Sequence, residues 1–143
     1  MLNKERIYAL AREVGFSLCG VAKCRYLDVS HRHFDQWLAR GDGDGLEYMQ
    51  RNIEKRFDPS QLVEGAKTVI VCALNYRNPI TNGYAAEAHC KIASYACTID
   101  YHHTIKAMLH EMFARLREES PQLVGRAFVD SAPLAEKSWA VEA

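Results

Sequence analysis

The sequence predicts an α/β (α+β) layered domain in which a central β-sheet is flanked by helices. Three observations lead there. The run Thr68-Val-Ile-Val-Cys-Ala-Leu74 is continuously apolar and rich in β-branched residues, the character of a central strand covered on both faces. Stretches with apolar residues at helical spacing stand on either side of it. Glycine and proline punctuate the junctions between them, and strands alternating with helices belong to layered folds.

The elements follow in order. Asn3 suits the cap of a helix whose apolar face is Ile7, Leu10, Ala11 and Val14, with Gly15 placed to end it. Phe16 to Ala22 has strand character. Ser30 is the expected cap of a second helix carrying Phe34, Trp37 and Leu38 on one face, with Gly41 as its stop. Gly41-Asp42-Gly43-Asp44-Gly45 is a glycine-rich turn; it lacks the alternating ligands and distant Glu of an EF-hand. Leu46, Met49 and Ile53 predict a third helix, ended by Asp58-Pro59 because the residue before proline disfavours helix. After the apolar strand, residues 75–90 hold Pro79 and Asn82-Gly83 and form a loop. Ile92 to Cys97 suits either strand or irregular chain. Ile105, Met108, Leu109, Met112 and Leu116 mark a long amphipathic helix followed by Pro121. Leu123 to Val129 is a further expected strand. Asp130-Ser131-Ala132-Pro133 then turns into a helix starting near Leu134, which carries no stop signal. Its Trp139 and Val141 are therefore expected to be exposed apolar residues that promote self-association.

Composition narrows the class. A chain of 143 residues favours one domain and can bury a core unaided. Lys plus Arg and Asp plus Glu number 18 each, so no global charge attracts a polyanion; nucleic acid would need a local patch. No apolar run is long enough to span a bilayer, and the charged start lacks the apolar core of a signal peptide, which implies no membrane partner and a cytoplasmic location. The five cysteines, Cys19, Cys24, Cys72, Cys90 and Cys97, form no CxxC and are expected as reduced thiols, without the close spacings of a zinc or cluster site.

Three constellations carry candidate chemistry. Asp130 lies where an expected strand meets a helix, the place where layered α/β folds bind ligands, and a carboxylate there moves protons. The same position suits a helix cap or turn. Asp100-Tyr101-His102-His103 opens the long helix. Adjacent histidines point about 100° apart and make a poor metal pair, yet Tyr101 and His102 offer hydrogen bonds to a cofactor or substrate. Glu54-Lys55-Arg56 is either a solvated helix end or a clamp in which Arg56 holds a phosphate or carboxylate.

Five stretches, in this order, resemble the amino-terminal domain of epoxyqueuosine reductases. They are Tyr48-Met49 with Arg56-Phe57-Asp58-Pro59, Gly65 to Val71 with Leu74-Asn75-Tyr76, Lys91 to Ala96, Asp100-Tyr101-His102, and Phe128 to Pro133 with Glu136-Lys137. The resemblance implies a corrinoid-binding core shared with reductive dehalogenases. It implies reduction of epoxyqueuosine to queuosine in the tRNA anticodon loop, with cobalamin and two [4Fe–4S] clusters as cofactors and tRNA as partner. By the same resemblance Asp130 is the proton donor to the epoxide oxygen. Tyr101 and His102 line the corrin and substrate cavity, and Arg56 and the Ala93–Tyr95 stretch lie near the cobalamin. Cys97 departs from the pattern, standing where a bulky aromatic is expected. The clusters are expected on a carboxy-terminal ferredoxin-like domain beyond these residues, so that the 143 residues form a truncated substrate and corrinoid domain, inactive alone. Two other functions suit the residues: a flavin-dependent nitroreductase-like reductase on a related fold, and a non-catalytic corrinoid-binding or interaction module.

Overall fold

A computed structural model describes residues 2–79, 83–84, 87 and 89–143. Helix α1 (Lys4–Val14) begins as its sequence dictates: the Asn3 side chain accepts from the Arg6 N–H at 2.8 Å. It ends at Gly15, whose φ of 107° is left-handed and lets its N–H reach the Ala11 and Arg12 carbonyls. Strand β1 (Leu18–Lys23) is shifted two residues beyond the expected start. It pairs with β2 (Thr68–Ala73). Ser17 N–H donates to Ala73 O and Cys24 N–H to Lys67 O, so the strands run antiparallel.

In place of the expected central β-sheet covered on both faces, the described residues form a small sheet of two strands, and Val69 to Cys72 are only half-buried. Residues 123–128 form no strand; Val124 is 83% exposed, and β-branched residues form a strand only where a neighbour supplies a ladder.

The chain separates into two compact units, and the boundary falls within both strands. In one, residues up to Cys19 join Cys72–Leu123. Helix α1 lies against the long helix α4 (Tyr101–Glu119), with Ile7, Leu10, Ala11, Phe16, Met112 and Leu116 buried. Arg6 pairs with Glu119 at 2.6 Å and Arg115 with Glu13 at 3.3 Å; both pairs are largely exposed and add little stability.

The second unit comprises Gly20–Val71 and Val124–Ala143. It holds α2 (Asp28–Ala39), α3 (Ile53–Phe57) and α5 (Glu136–Glu142) around a core of Ala22, Leu27, Phe57 and Trp139. Ser30 does not cap α2. Buried Leu27 donates its N–H to Phe57 O and accepts from His31 N–H, which starts the helix three residues earlier. The expected third helix is broken in two. A 3₁₀ turn (Glu47–Gln50) ends at extended Arg51, and Asn52 is left-handed (φ 54°, ψ 38°), a conformation that interrupts a right-handed helix and that asparagine tolerates. As expected, α3 stops before Asp58-Pro59.

Trp139 is 1% exposed and is a core residue, contrary to the expected exposure, while Val141 is 87% exposed. Two residues apart on a helix are turned by about 200°, so the indole points inward and the valine out. No helix among the described residues is long and apolar enough to cross a membrane.

Candidate active site

The candidate residues fall into two sets, one in each unit. The first is built on the start of α4. Asp100 caps that helix: its Oδ1 accepts from the His102 backbone N–H at 2.9 Å and from His102 Nδ1 at 2.7 Å. The backbone bond, then the imidazole bond, holds the Asp100 carboxyl below its ordinary range. A carboxylate only accepts, so Nδ1 carries the proton and Nε2 is the acceptor of the neutral ring. One residue thus caps the helix and selects the histidine tautomer.

The Tyr101 and His102 rings stack at 4.2 Å. Tyr101 meets Tyr95 edge-on at 6.0 Å, and Tyr95 meets Tyr76 in the same way at 6.0 Å. The expected pair of Tyr101 and His102 is therefore one end of a four-ring succession in which Tyr101 is half-buried and His102, Tyr95 and Tyr76 are exposed. A 3₁₀ turn, Ser94–Cys97, presents Tyr95; the Ala93 carbonyl closes it by accepting from the Ala96 N–H at 2.9 Å. Ile92 to Cys97 is thus irregular chain rather than strand. Tyr84 Oη accepts from the Ile92 N–H at 3.2 Å and holds the entry to the turn. The departure at Cys97 has a local role: its Sγ lies 3.6 Å from Ala93 O, inside the same turn. Tyr76 was not singled out by spacing, because its partner Tyr95 is far away in sequence.

The second set holds Arg56 and Asp130. Arg56 sits on α3, its guanidinium 5.8 Å from the Phe34 ring centroid. Its Nε is buried and has no hydrogen-bond partner among the described residues, so the arginine is not the solvated helix end that its neighbours suggest. Its carbonyl accepts from the Ala135 N–H at 2.9 Å. That bond belongs to the chain entering α5 and delays the helix from Leu134 to Glu136. Asp130 is not the N-cap of α5, which begins six residues later, and no strand precedes it. It lies in a turn with φ 47°, and its N–H donates to Glu136 Oε1 at 2.9 Å. Val129 beside it is buried. Sequence reasoning missed Glu136 as its partner; Asp-x5-Glu across a turn has no recognised signature.

A concavity of about 390 Å³ is lined by Ala114, Arg117, Glu118 and Pro121, and holds none of the candidate residues. Among the described residues no group of three or more His, Cys, Asp or Glu is arranged to hold a metal ion, and all five cysteines are free thiols.

The architecture is that of solved epoxyqueuosine reductases. The structure from Streptococcus thermophilus superposes with a TM-score of 0.79 over 94% of this chain and 36% of that one, at 24% identity. An epoxyqueuosine reductase crystallised with an epoxyqueuosine-modified tRNA-Tyr stem loop gives 0.78 over 96% and 36%, at 20% identity. Among curated relatives, the epoxyqueuosine reductase of Cyclobacterium marinum is 41% identical over 133 residues, covering 93% of this chain and 43% of its own length. That of Cellulophaga algicola is 37% identical over 140 residues, covering 98% and 45%. The chain thus spans less than half the length of these relatives. The family model described as "Epoxyqueuosine reductase QueG, DUF1730" matches residues 56–131, more than half of the chain and a span that includes Arg56, Ala93, Tyr95, Tyr101, His102 and Asp130. The chain belongs to that family.

Proposed function

We propose that this chain is the amino-terminal substrate and corrinoid part of a cytoplasmic epoxyqueuosine reductase acting on the tRNA anticodon loop. The observation that carries the reading is the family match across 56–131, which takes in every candidate residue of both units. In the reaction, the epoxide of epoxyqueuosine takes up two electrons and two protons; both C–O bonds break, an alkene forms and the oxygen leaves as water. Opening an epoxide places negative charge on oxygen, and a proton delivered there lowers the barrier. Asp130 is the donor of that proton in this reading. The tRNA-bound relative supports tRNA as the partner of the whole protein.

Cobalamin requires a wall for a flat macrocycle and donors for a rim of amides. Two observations fit it. Arg56 Nε is a buried donor still without an acceptor. The Tyr76–Tyr95–Tyr101–His102 succession supplies apolar ring faces with polar edges. By the family resemblance, Arg56 in one unit, and separately the Ala93–Tyr95 turn, Tyr101 and His102 in the other, are candidate corrinoid contacts, and the corrinoid would supply the electrons when bound. The Asp100 bond keeps His102 Nε2 available as an acceptor. Two [4Fe–4S] clusters belong, on this reading, to a ferredoxin-like domain of the whole protein.

The test is Asp130→Asn in the full-length enzyme, by single-turnover reduction of epoxyqueuosine-containing tRNA. Asparagine matches aspartate in size and shares its tolerance of left-handed backbone, but delivers no carboxylic proton. A loss of about 100-fold or more with cobalamin absorbance intact is expected. Near-normal turnover would return Asp130 to the role of a turn residue.

A further inference from the structure

We infer that Glu136 is a positioning residue for Asp130: it holds the backbone that aims the Asp130 carboxyl. The inference rests on the reading of Asp130 as proton donor and adds a residue to it.

Asp130 adopts φ 47°, one of two left-handed non-glycine positions among the described residues, the other being Asn52. Aspartate tolerates left-handed backbone better than most residues with a Cβ but does not favour it, so a contact that fixes it there sets its direction. The holder here is identifiable. Glu136 Oε1 accepts from the Asp130 N–H at 2.9 Å across a six-residue turn. Glu136 is itself fixed from two sides. It is the first residue of α5, whose Trp139 is locked in the core at 1% exposure. The preceding Ala135 N–H is tied to the Arg56 carbonyl at 2.9 Å. On the other side of Asp130, Val129 is buried. The aspartate is thus gripped before it by an apolar anchor and across the turn by the glutamate, which sets the direction in which its Cβ leaves the chain. Releasing the grip would let the residue relax toward right-handed or extended backbone, swinging the carboxyl off its line. Misplacements of this kind cost rate far more than affinity.

A hydrogen-bond acceptor of glutamate length is what the geometry needs, and negative charge is secondary. Glu136→Gln keeps an acceptor oxygen at the same reach. Glu136→Asp keeps the charge and is one methylene too short. The experiment measures kcat and KM for epoxyqueuosine-containing tRNA in the full-length reductase, with melting temperature and cobalamin absorbance as controls for folding. We expect Glu136→Ala and Glu136→Asp to lose roughly 10–100-fold in kcat at unchanged KM and cobalamin occupancy, and Glu136→Gln to stay within a few-fold. In an Asp130→Asn background, Glu136→Ala should have no further effect, because the group it positions is already gone. If Glu136→Ala unfolds the protein, the Gln and Asp variants decide the matter. Activity kept by Asp and lost by Gln would overturn the positioning role in favour of charge. Full kcat in Glu136→Ala beside an inactive Asp130→Asn overturns this inference and leaves the proton-donor reading standing. An active Asp130→Asn removes that reading itself.

Discussion

Replacing Trp139 should separate two opposing contributions of one buried indole. Trp139 is 1% exposed and packs with Ala22, Leu27 and Phe57. An aromatic side chain of this kind buries about 150–250 Å², worth roughly 4–6 kcal/mol at about 25 cal/mol per Å². Against this, its Nε1 is buried without a hydrogen-bond partner among the described residues, a desolvation cost of about 1–3 kcal/mol. Trp139→Ala removes both terms, leaving a net loss of about 3 kcal/mol, at the lower end of aromatic truncations. Trp139→Phe keeps the six-membered ring, gives up roughly 1–2 kcal/mol of area, and recovers the cost of the orphaned N–H. It should lie within about 1 kcal/mol of the parent. Equilibrium urea denaturation followed by far-UV circular dichroism measures both; fluorescence compares the variants poorly because one of the two tryptophans, Trp37 and Trp139, is the residue replaced. If alanine costs less than about 1 kcal/mol, Trp139 is not the centre of this core. If phenylalanine costs about 3 kcal/mol, as alanine is expected to, the indole N–H has a partner and the balance is wrong. The outcome bears on function, because the helix that Trp139 anchors begins with Glu136.

Asp100→Ala should lower the melting temperature and Asp100→Asn should largely preserve it, since asparagine also accepts the His102 N–H bond. The Asp100 carboxyl is held below its ordinary range, so its contribution is complete above the unfolded value of about 3.9. It is lost as pH falls through the lower folded value; a melting curve of the parent that is flat across that acid range would contradict the cap. Among the cysteines, Cys90 is exposed and should be alkylated first at mildly alkaline pH. Cys72 should be last. Its thiol donates to Cys19 at 3.9 Å and is half-buried, and both push its ionisation up while Cys19 is moved down. Mass spectrometry of a timed iodoacetamide reaction reads the order; early loss of the Cys72 thiol would refute it.

The sequence by itself determined those features whose causes lie within a few residues. Asn3 and Gly15 bracket α1, Asp100 opens α4, Pro59 closes α3, and the β-branched run at Thr68 is a strand, because caps, left-handed glycine and proline sterics act locally. The ordered motifs from Tyr48 to Lys137 likewise identified the family, which the family match over 56–131 bears out. Tertiary structure alone decided what depends on distant partners. The strand character of residues 123–129 came to nothing without a neighbouring ladder. The start of α2 was set by Leu27 bonding to Phe57, and that of α5 by Ala135 bonding to Arg56. The single helix expected from Leu46 to Ile53 was broken at Asn52. Trp139 was sent inward by the core that α2, α3 and α5 share. The four-ring succession from Tyr76 to His102 and the grip of Glu136 on Asp130 have the same origin. Each is a contact between residues whose separation carries no period or cap, and a contact of that kind exists only once the chain has folded back on itself.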